Sequence, residues 1–319
     1  MKAMVLAAGL GLRMRPLTLV RAKPALPVLN RPLIHWTLDA LAQAGIREVV
    51  INLHHLPGTI VSVVGDGAEF GLRVRYSRER SILGTAGALR RARGWLGDEP
   101  VLVVNGDIVF DVDLKRLIAR HRTSGALATL ALRPNPDPRK YSSIVTGSDH
   151  WVRSVAGLPR KATGSVSLFS GIHVLDPRLL DRLPAGPSDS VRDIYIPALA
   201  RGEPILGVRV KGAWYDFGHL AAYRDSQLAM LAKGWGGQKA VRLVDRRARI
   251  APKAVMRSVV VGAGAVIEEE ARVADSVIWD GVRVGPGARV TGAVLAADVP
   301  AGGRVTRAVV TVKGRARIG

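Results

Sequence analysis

The chain has no cysteine. Disulfides, thiolate nucleophiles and cysteine-bound metals are therefore excluded. It has no uninterrupted apolar run near the ~20 residues that a membrane helix needs, so no membrane partner is expected. The sequence enters a strand directly after Lys2, without a secretory apolar region and cleavage site, and a cytoplasmic protein is expected. Acidic residues are scarce, 26 Asp+Glu against 47 Lys+Arg, for a formal net charge of +21. A balance of that size suits a polyanionic ligand, whether nucleotide, sugar phosphate or nucleic acid. It suits equally an arginine-rich surface that only solvates the protein. The arginines are scattered, with no long basic block and no RNA-binding motif, so no nucleic-acid partner is expected.

At 319 residues the chain exceeds one small core, and one large or two modest domains are expected. Strand and helix signals alternate up to about residue 230. Residues 4–8 form a short apolar run that reads as a buried strand. Pro32 opens a helix whose Ile34, Leu38 and Leu41 fall at i, i+4 and i+7, and Gly45 closes it. Residues 48–53 and 72–76 read as strands, 85–93 as a helix, 101–104 as a strand apolar on both faces, 114–124 as a helix and 126–132 as a strand. Such alternation argues for a mostly parallel sheet with helices on both sides.

Composition shifts at Lys233-Gly-Trp-Gly-Gly-Gln-Lys239, a linker signal. Aliphatic residues then recur about every six positions, at Val255, Val261, Ile267 and Val273, and after a shift of register at Val284 and Val290. A six-residue period fits no α-helix, and strict alternation is absent. The pattern resembles the hexapeptide repeat of left-handed parallel β-helices, and ~75 residues give three to four coils. The expected fold is thus α/β. A Rossmann-like, mostly parallel sheet with helices on both faces occupies residues 1–235, and a short left-handed parallel β-helix occupies residues 240–319. The flat edge of such a coil commonly needs a partner, so a homo-oligomer, or closure against the first domain, is expected.

The first apolar strand breaks into Gly9-Leu10-Gly11-Leu12-Arg13. Two glycines let the backbone turn sharply and approach a ligand closely. Consecutive backbone N–H groups in such a turn make an anion site, and Arg13, Arg15 and Lys23 add positive charge beside it. The loop is not a Walker A motif, since no Gly-Lys-Ser/Thr follows. It is no dinucleotide fingerprint either, because Met14 stands where a third glycine belongs and Pro16 interrupts the helix that should begin there. On spacing alone a phosphate cradle and a plain tight turn both remain open.

The whole string resembles the sugar-1-phosphate nucleotidylyltransferases, whose N-terminal motif GxGxRxxPLT is followed by a KP dipeptide. Here it stands as Gly9, Gly11, Arg13, Pro16, Leu17, Thr18 and then Lys23-Pro24. Leu12 occupies a place where many members carry Thr, so one hydroxyl contact to the phosphates is missing. The C-terminal repeat resembles the tails of certain members, and the likeness is nearest to the mannose-1-phosphate guanylyltransferases. It implies that Leu6, Ala8, Gly9 and Gly11 line the nucleotide. Arg13 would hold the β- and γ-phosphates, and Lys23 would bridge the α-phosphate and the incoming phosphate.

Asn105-Gly106-Asp107 follows the apolar strand, and in open α/β sheets ligands bind beyond the carboxyl ends of strands. Asp107 is placed there either for a hard cation or as a turn residue. The resemblance makes it a catalytic Mg²⁺ ligand. Trp214-Tyr215-Asp216-Phe217-Gly218-His219 resembles the family's WxDxGT segment and implies Asp216 as the second ligand. Mg²⁺ takes one or two carboxylates plus substrate phosphates. His219, where Thr is usual, reads as a surface or supporting residue. Asp111 and Asp113 read as loop or helix-capping residues.

The segment from Glu79 to Leu89, with Leu83-Gly84-Thr85-Ala86-Gly87-Ala88-Leu89 at its end, resembles the family's nucleobase loop E/Q-x-x-x-LGTAGAL. The likeness implies Glu79, Gly84 and Thr85 as nucleotide-binding, whereas the residues alone read Glu79 equally as a loop glutamate. An ionised Glu79 offers two acceptors and no donor, which suits the adjacent N1–H and 2-amino donors of guanine, so GTP is the expected NTP. For the sugar phosphate the likeness points to Asn105 and to Gly171 in Phe169-Ser-Gly-Ile-His-Val-Leu175. The second EKP motif of the family is not intact, and Lys161 or Arg160 stands in for its lysine. Alternatives are a uridylyl- or thymidylyltransferase for another sugar-1-phosphate, including N-acetylmuramate-1-phosphate, and a non-catalytic nucleotide-sugar-binding subunit. A hexapeptide acyltransferase is disfavoured, because residues 240–319 contain no histidine.

Overall fold

In the computed structural model, which describes residues 1–135, 142–160, 162–235 and 240–318, the contacts gather into two compact units. The first is Met1–Gly9 with Ile34–Trp214; the second is Leu10–Leu33 with Tyr215–Gly319.

The first unit is built on apolar strands that pair in parallel. β1 (Lys2–Leu6) lies between β2 (Glu48–Leu53) and β4 (Val101–Asn105), and β3 (Arg73–Arg78) extends the sheet beyond β2. Helices α1 (Leu33–Gln43), α2 (Pro57–Val64) and α3 (Gly84–Leu96) connect these strands. Met4 packs with Ala88, Leu89 and Val103 in one core, while Ala3 and Val5, facing the other way, are also fully buried. Both faces are covered, which is why these strands read as continuous apolar runs. After α4 (Leu114–Ser124), strands β5 (Ala128–Pro134), β6 (Ser143–Thr146), β7 (Val152–Val155), β8 (Ser165–Leu175) and β9 (Ile205–Arg209) complete a nine-stranded sheet. β8 is antiparallel to β4, β5 and β6, and β9 is parallel to β5. The sheet is therefore mixed, with a parallel amino-terminal half. Asp113 Oδ1 accepts from Arg116 N at 2.9 Å and starts α4, the capping role read from its position.

The second unit contains a three-sided parallel coil. Successive turns pair Val259 with Ser276 and Val277 with Val294, seventeen residues along, and then Val294 with Val309, fifteen along. Separate ladders run through Val255, Arg272, Arg289 and Arg304, and through Val266 and Arg283. Val273, Val290 and Val305 point inward while Arg272, Arg289 and Arg304 are exposed. On another side Val259, Val260 and Val261 are all buried, because α5 (Leu220–Ala232) packs over it. A hairpin of Ala308–Thr311 with Gly314–Arg317 closes the last turn, removing an open parallel edge.

Residues 10–33 belong to this second unit. Leu29 and Asn30 form a tight turn with positive φ at both, between the paired segments Pro27–Val28 and Arg31–Pro32. Its tip is pinned twice. Gln227 Oε1 accepts from Leu29 N at 3.0 Å, and Asn30 Nδ2 donates to Val261 O at 2.8 Å.

Candidate active site

In the first unit the parallel strands end at one edge, and many of the sequence-predicted residues lie there. Leu6 closes β1, and its carbonyl accepts from Gly106 N at 2.9 Å, which fixes the Asn105-Gly106-Asp107 turn beside it. Ala8 is buried, and no other atom lies within 4 Å of the place a Cβ of Gly9 would take. Asp107 is half-buried in the turn after β4. Asn105 lies against Gly171, where a Cβ would come within 2.7 Å of Asn105 Nδ2. Trp214, the last residue of this unit, donates its indole N–H to Ser170 O at 2.9 Å. Lys161 lies outside the described residues.

The segment leading into α3 is held by residues 188–190. Gly84 adopts φ +72°, and a Cβ on it would stand 2.4 Å from Ser188 O. That same carbonyl accepts from Ala86 N at 3.0 Å, satisfying one of the free donors at the start of α3. Thr85 Oγ1 accepts from Ser190 N at 2.7 Å and contacts Ser190 Oγ at 3.0 Å, so its hydroxyl braces the 188–190 segment. Glu79 is 6% exposed. Its Oε1 accepts from Asn52 Nδ2 at 2.7 Å and its Oε2 from Leu83 N at 3.0 Å. The two acceptors that the sequence reading reserved for a guanine edge are thus engaged within the protein. Asn52 was passed over in the sequence. Its only signal is a polar residue near the end of the apolar strand EVVINL. Farther along β8, the fully buried His173 bonds the Tyr195 hydroxyl, and burial pushes its pKa down to about 3.

The second unit carries the remaining candidates. Gly11 has φ +60°, and a Cβ there would meet Thr18 Cγ2 at 2.6 Å. Thr18 Oγ1 donates to Gly11 O at 2.9 Å and holds the turn closed. Arg13 follows, exposed, in the short turn Leu12–Met14. Lys23 opens the turn Lys23–Ala25 and is buried. Asp216 is half-buried, and Gly218 lies against its carboxylate, where a Cβ would come 3.0 Å from each oxygen. His219 Nδ1 accepts from Ala222 N at 3.2 Å, so it caps α5 in a supporting role. Among the described residues no group of three or more His, Cys, Asp or Glu could hold a metal. The carboxylates of Asp107 in the first unit and Asp216 in the second each offer hard oxygen donors of the kind Mg²⁺ takes.

Residues 2–233 match the Nucleotidyl transferase family. An N-acetylmuramate alpha-1-phosphate uridylyltransferase of Neisseria meningitidis serogroup B is 36% identical over 241 residues, 74% of this chain and 100% of that protein. A mannose-1-phosphate guanylyltransferase of Mycobacterium tuberculosis is 33% identical over 275 residues, 83% of this chain and 76% of that protein. The crystal structure of a Bacillus anthracis protein described as a glucose-1-phosphate thymidylyltransferase matches with a TM-score of 0.63 at 25% identity, over 72% of this chain and 94% of that one. Against two further curated relatives the chain spans 64% and 61% of their length. No helix among the described residues is long and apolar enough to cross a membrane. The match runs across most of the chain: this chain belongs to the nucleotidyl transferase family.

Proposed function

We propose that the chain is a sugar-1-phosphate nucleotidylyltransferase that joins GTP and mannose-1-phosphate. A phosphate oxygen of the sugar-1-phosphate attacks the α-phosphorus of the NTP, the bond to the β-phosphate bridging oxygen breaks, and pyrophosphate leaves. The attacking phosphate is ionised near neutral pH, so no protein base is required, and catalysis rests on positioning and charge neutralisation. The observation that carries the reading is the loop after β1, where Gly9 leaves open space at the carboxyl end of a buried strand. Arg13 stabilises the leaving pyrophosphate, and Lys23 serves the α-phosphate and the incoming phosphate. Asp107 and Asp216 are the residues that would hold Mg²⁺, which when bound neutralises charge on the phosphates. Leu6, Ala8, Gly11, Gly84 and Thr85 shape the nucleotide site; Asn105 and Gly171 serve the sugar phosphate. The division into a catalytic portion, 1–235, and a coil without chemistry, 240–319, is part of the same proposal.

Support for GTP and mannose-1-phosphate comes from the M. tuberculosis relative. An alignment of 275 residues cannot fit within residues 1–240 and so extends into the coil. A second reading, UTP with N-acetylmuramate-1-phosphate, has its own support: the N. meningitidis relative matches along its whole length. The test is pyrophosphate release from four NTPs against a panel of sugar-1-phosphates with Mg²⁺. Fastest release with GTP and mannose-1-phosphate is expected. Fastest release with UTP and N-acetylmuramate-1-phosphate selects the second reading, and no release from any pair overturns both.

A further inference from the structure

The carboxyl ends of β1, β2 and β3 are tied side by side by buried hydrogen bonds. One residue beyond β1, Ala7 N donates to Asn52 Oδ1 at 2.7 Å. Asn52 Nδ2 donates to Glu79 Oε1 at 2.7 Å, and Glu79 Oε2 accepts from Leu83 N at 3.0 Å at the threshold of α3. Asn52 is 4% exposed and Glu79 6%. The Glu79 backbone is fixed as well, its N–H donating to Leu53 O at 2.8 Å and its carbonyl accepting from His54 Nδ1 at 3.1 Å. A buried carboxylate is costly unless donors meet it, and here each oxygen has one. Each oxygen keeps a second lone pair, but at 6% exposure the carboxylate offers a nucleobase almost no surface.

We propose that Asn52 and Glu79 are positioning residues that set the loop after β1, where the phosphates bind, against the base loop before α3, and that Glu79 does not read the base edge. The inference rests on the nucleotide site assigned above. Its donor–acceptor order is directional. Asn52 accepts from Ala7 and donates to Glu79, which accepts twice. Asn52→Asp keeps the bond from Ala7 N but sets a carboxylate against a carboxylate. Glu79→Gln keeps the bond from Leu83 N but sets an amide NH₂ against the Asn52 NH₂. The double variant Asn52→Asp/Glu79→Gln restores every pairing. The carboxylate then at position 52 accepts from Ala7 N and from the amide NH₂ at position 79, and the amide carbonyl at position 79 accepts from Leu83 N.

The experiment measures NTP dissociation constants by calorimetry with Mg²⁺, the GTP-to-UTP ratio of those constants, and turnover, below the melting temperature of each variant. Leaving a buried partner unpaired costs about tenfold or more in affinity where the geometry matters to the ligand. Each single variant is expected to weaken binding of both nucleotides by tenfold or more. The double variant is expected to return within about threefold of wild type, with the wild-type GTP-to-UTP ratio. Singles that bind like wild type overturn the inference, as does a double variant no better than the singles. A changed GTP-to-UTP ratio in Glu79→Gln that persists in the double variant makes residue 79 a base reader and also overturns it. Wild-type protein that binds no NTP overturns the nucleotide site itself, a result distinct from these.

Discussion

In the open sheet, β1 ends at Leu6 and β2 does not begin until Glu48; β3 ends at Arg78 and β4 begins at Val101. In the coil, one strand ends at Val261 and the next begins at Val266. Both regions pair strands in parallel, yet their connections differ in length. Long connections leave the carboxyl edge of the sheet free to gather Asn52, Glu79, Asn105 and Asp107. The corners of the coil are short, and its inward positions are filled by Val273, Val290 and Val305. Parallel pairing alone therefore makes no site. The proposed chemistry lies on the loops that a crossover requires, away from the packed interior of the coil.

That contrast breaks if a change at the sheet edge unfolds the protein, or if a change in the coil core alters chemistry. The largest effect is expected at the edge. Asp107→Asn should lower kcat by about 10²-fold or more, as does loss of one charge-stabilising contact elsewhere, with little change in Tm. Steady-state turnover at saturating Mg²⁺ checks it, and wild-type turnover removes Asp107 from the metal. In the coil, Ile267 is fully buried. Ile267→Ala should cost about 2–5 kcal/mol of stability through lost burial and a cavity, with kcat per folded molecule unchanged. Urea unfolding beside single-temperature turnover separates the two. A fall in kcat without loss of stability would tie the coil to catalysis.

A third contrast lies in pH. The coil has no histidine, whereas the core of the first unit holds His173, pushed down to about 3 by burial, and His121, also lowered chiefly by burial. Above pH 6.5 His173 is neutral whether the chain is folded or not. As pH falls from 6.5 towards 3, the unfolded chain takes up a proton that the folded core refuses, so stability is lost across that window. Between pH 7 and pH 5 the loss from one such histidine is about 2 kcal/mol. His173→Gln should remove that part of the slope in urea unfolding curves. An unchanged slope would mean that His173 is protonated in the fold.

Much of this organisation is legible in the sequence, and the exceptions have physical causes. The strand Glu48–Leu53 and the helix Leu114–Ser124 match their apolar patterns because burial and capping are local signals. β1 ends at Leu6, two residues before the apolar run does, because Ala7 N leaves the ladder for the Asn52 side chain. The six-residue spacing announces the coil, but its turns take seventeen and fifteen residues because corners vary while the inward valines do not. The glycine loop is legible as a tight turn. The attachment of the Leu29–Asn30 turn to Val261 is not legible, since a bond spanning 231 residues leaves no local pattern. Glu79 shows the opposite failure: its place in the loop is readable, its partners are not.

The smallest expected effect tests how residues 10–33 are held to the coil. Arg21 Nη2 lies 2.8 Å from Asp280 Oδ2, and the guanidinium stands 5.0 Å from the Trp279 ring centroid. Both charged side chains are partly exposed, 34% and 46%. Solvent screens such a pair, which contributes about 0–1 kcal/mol, and an exposed cation–π contact adds about as much. The turn at Leu29 and Asn30 is anchored independently, by Gln227 and by Val261 O. Arg21→Ala should therefore cost no more than about 2 kcal/mol, and the cost should shrink at high salt, where the wild-type pair is itself screened. Asn30→Ala removes a partly buried bond that salt does not reach, and its cost should persist there. Urea unfolding of both variants at low and high salt makes the comparison. If Arg21→Ala costs several kcal/mol at any salt concentration, the ion pair rather than the buried turn fastens the loop to the coil.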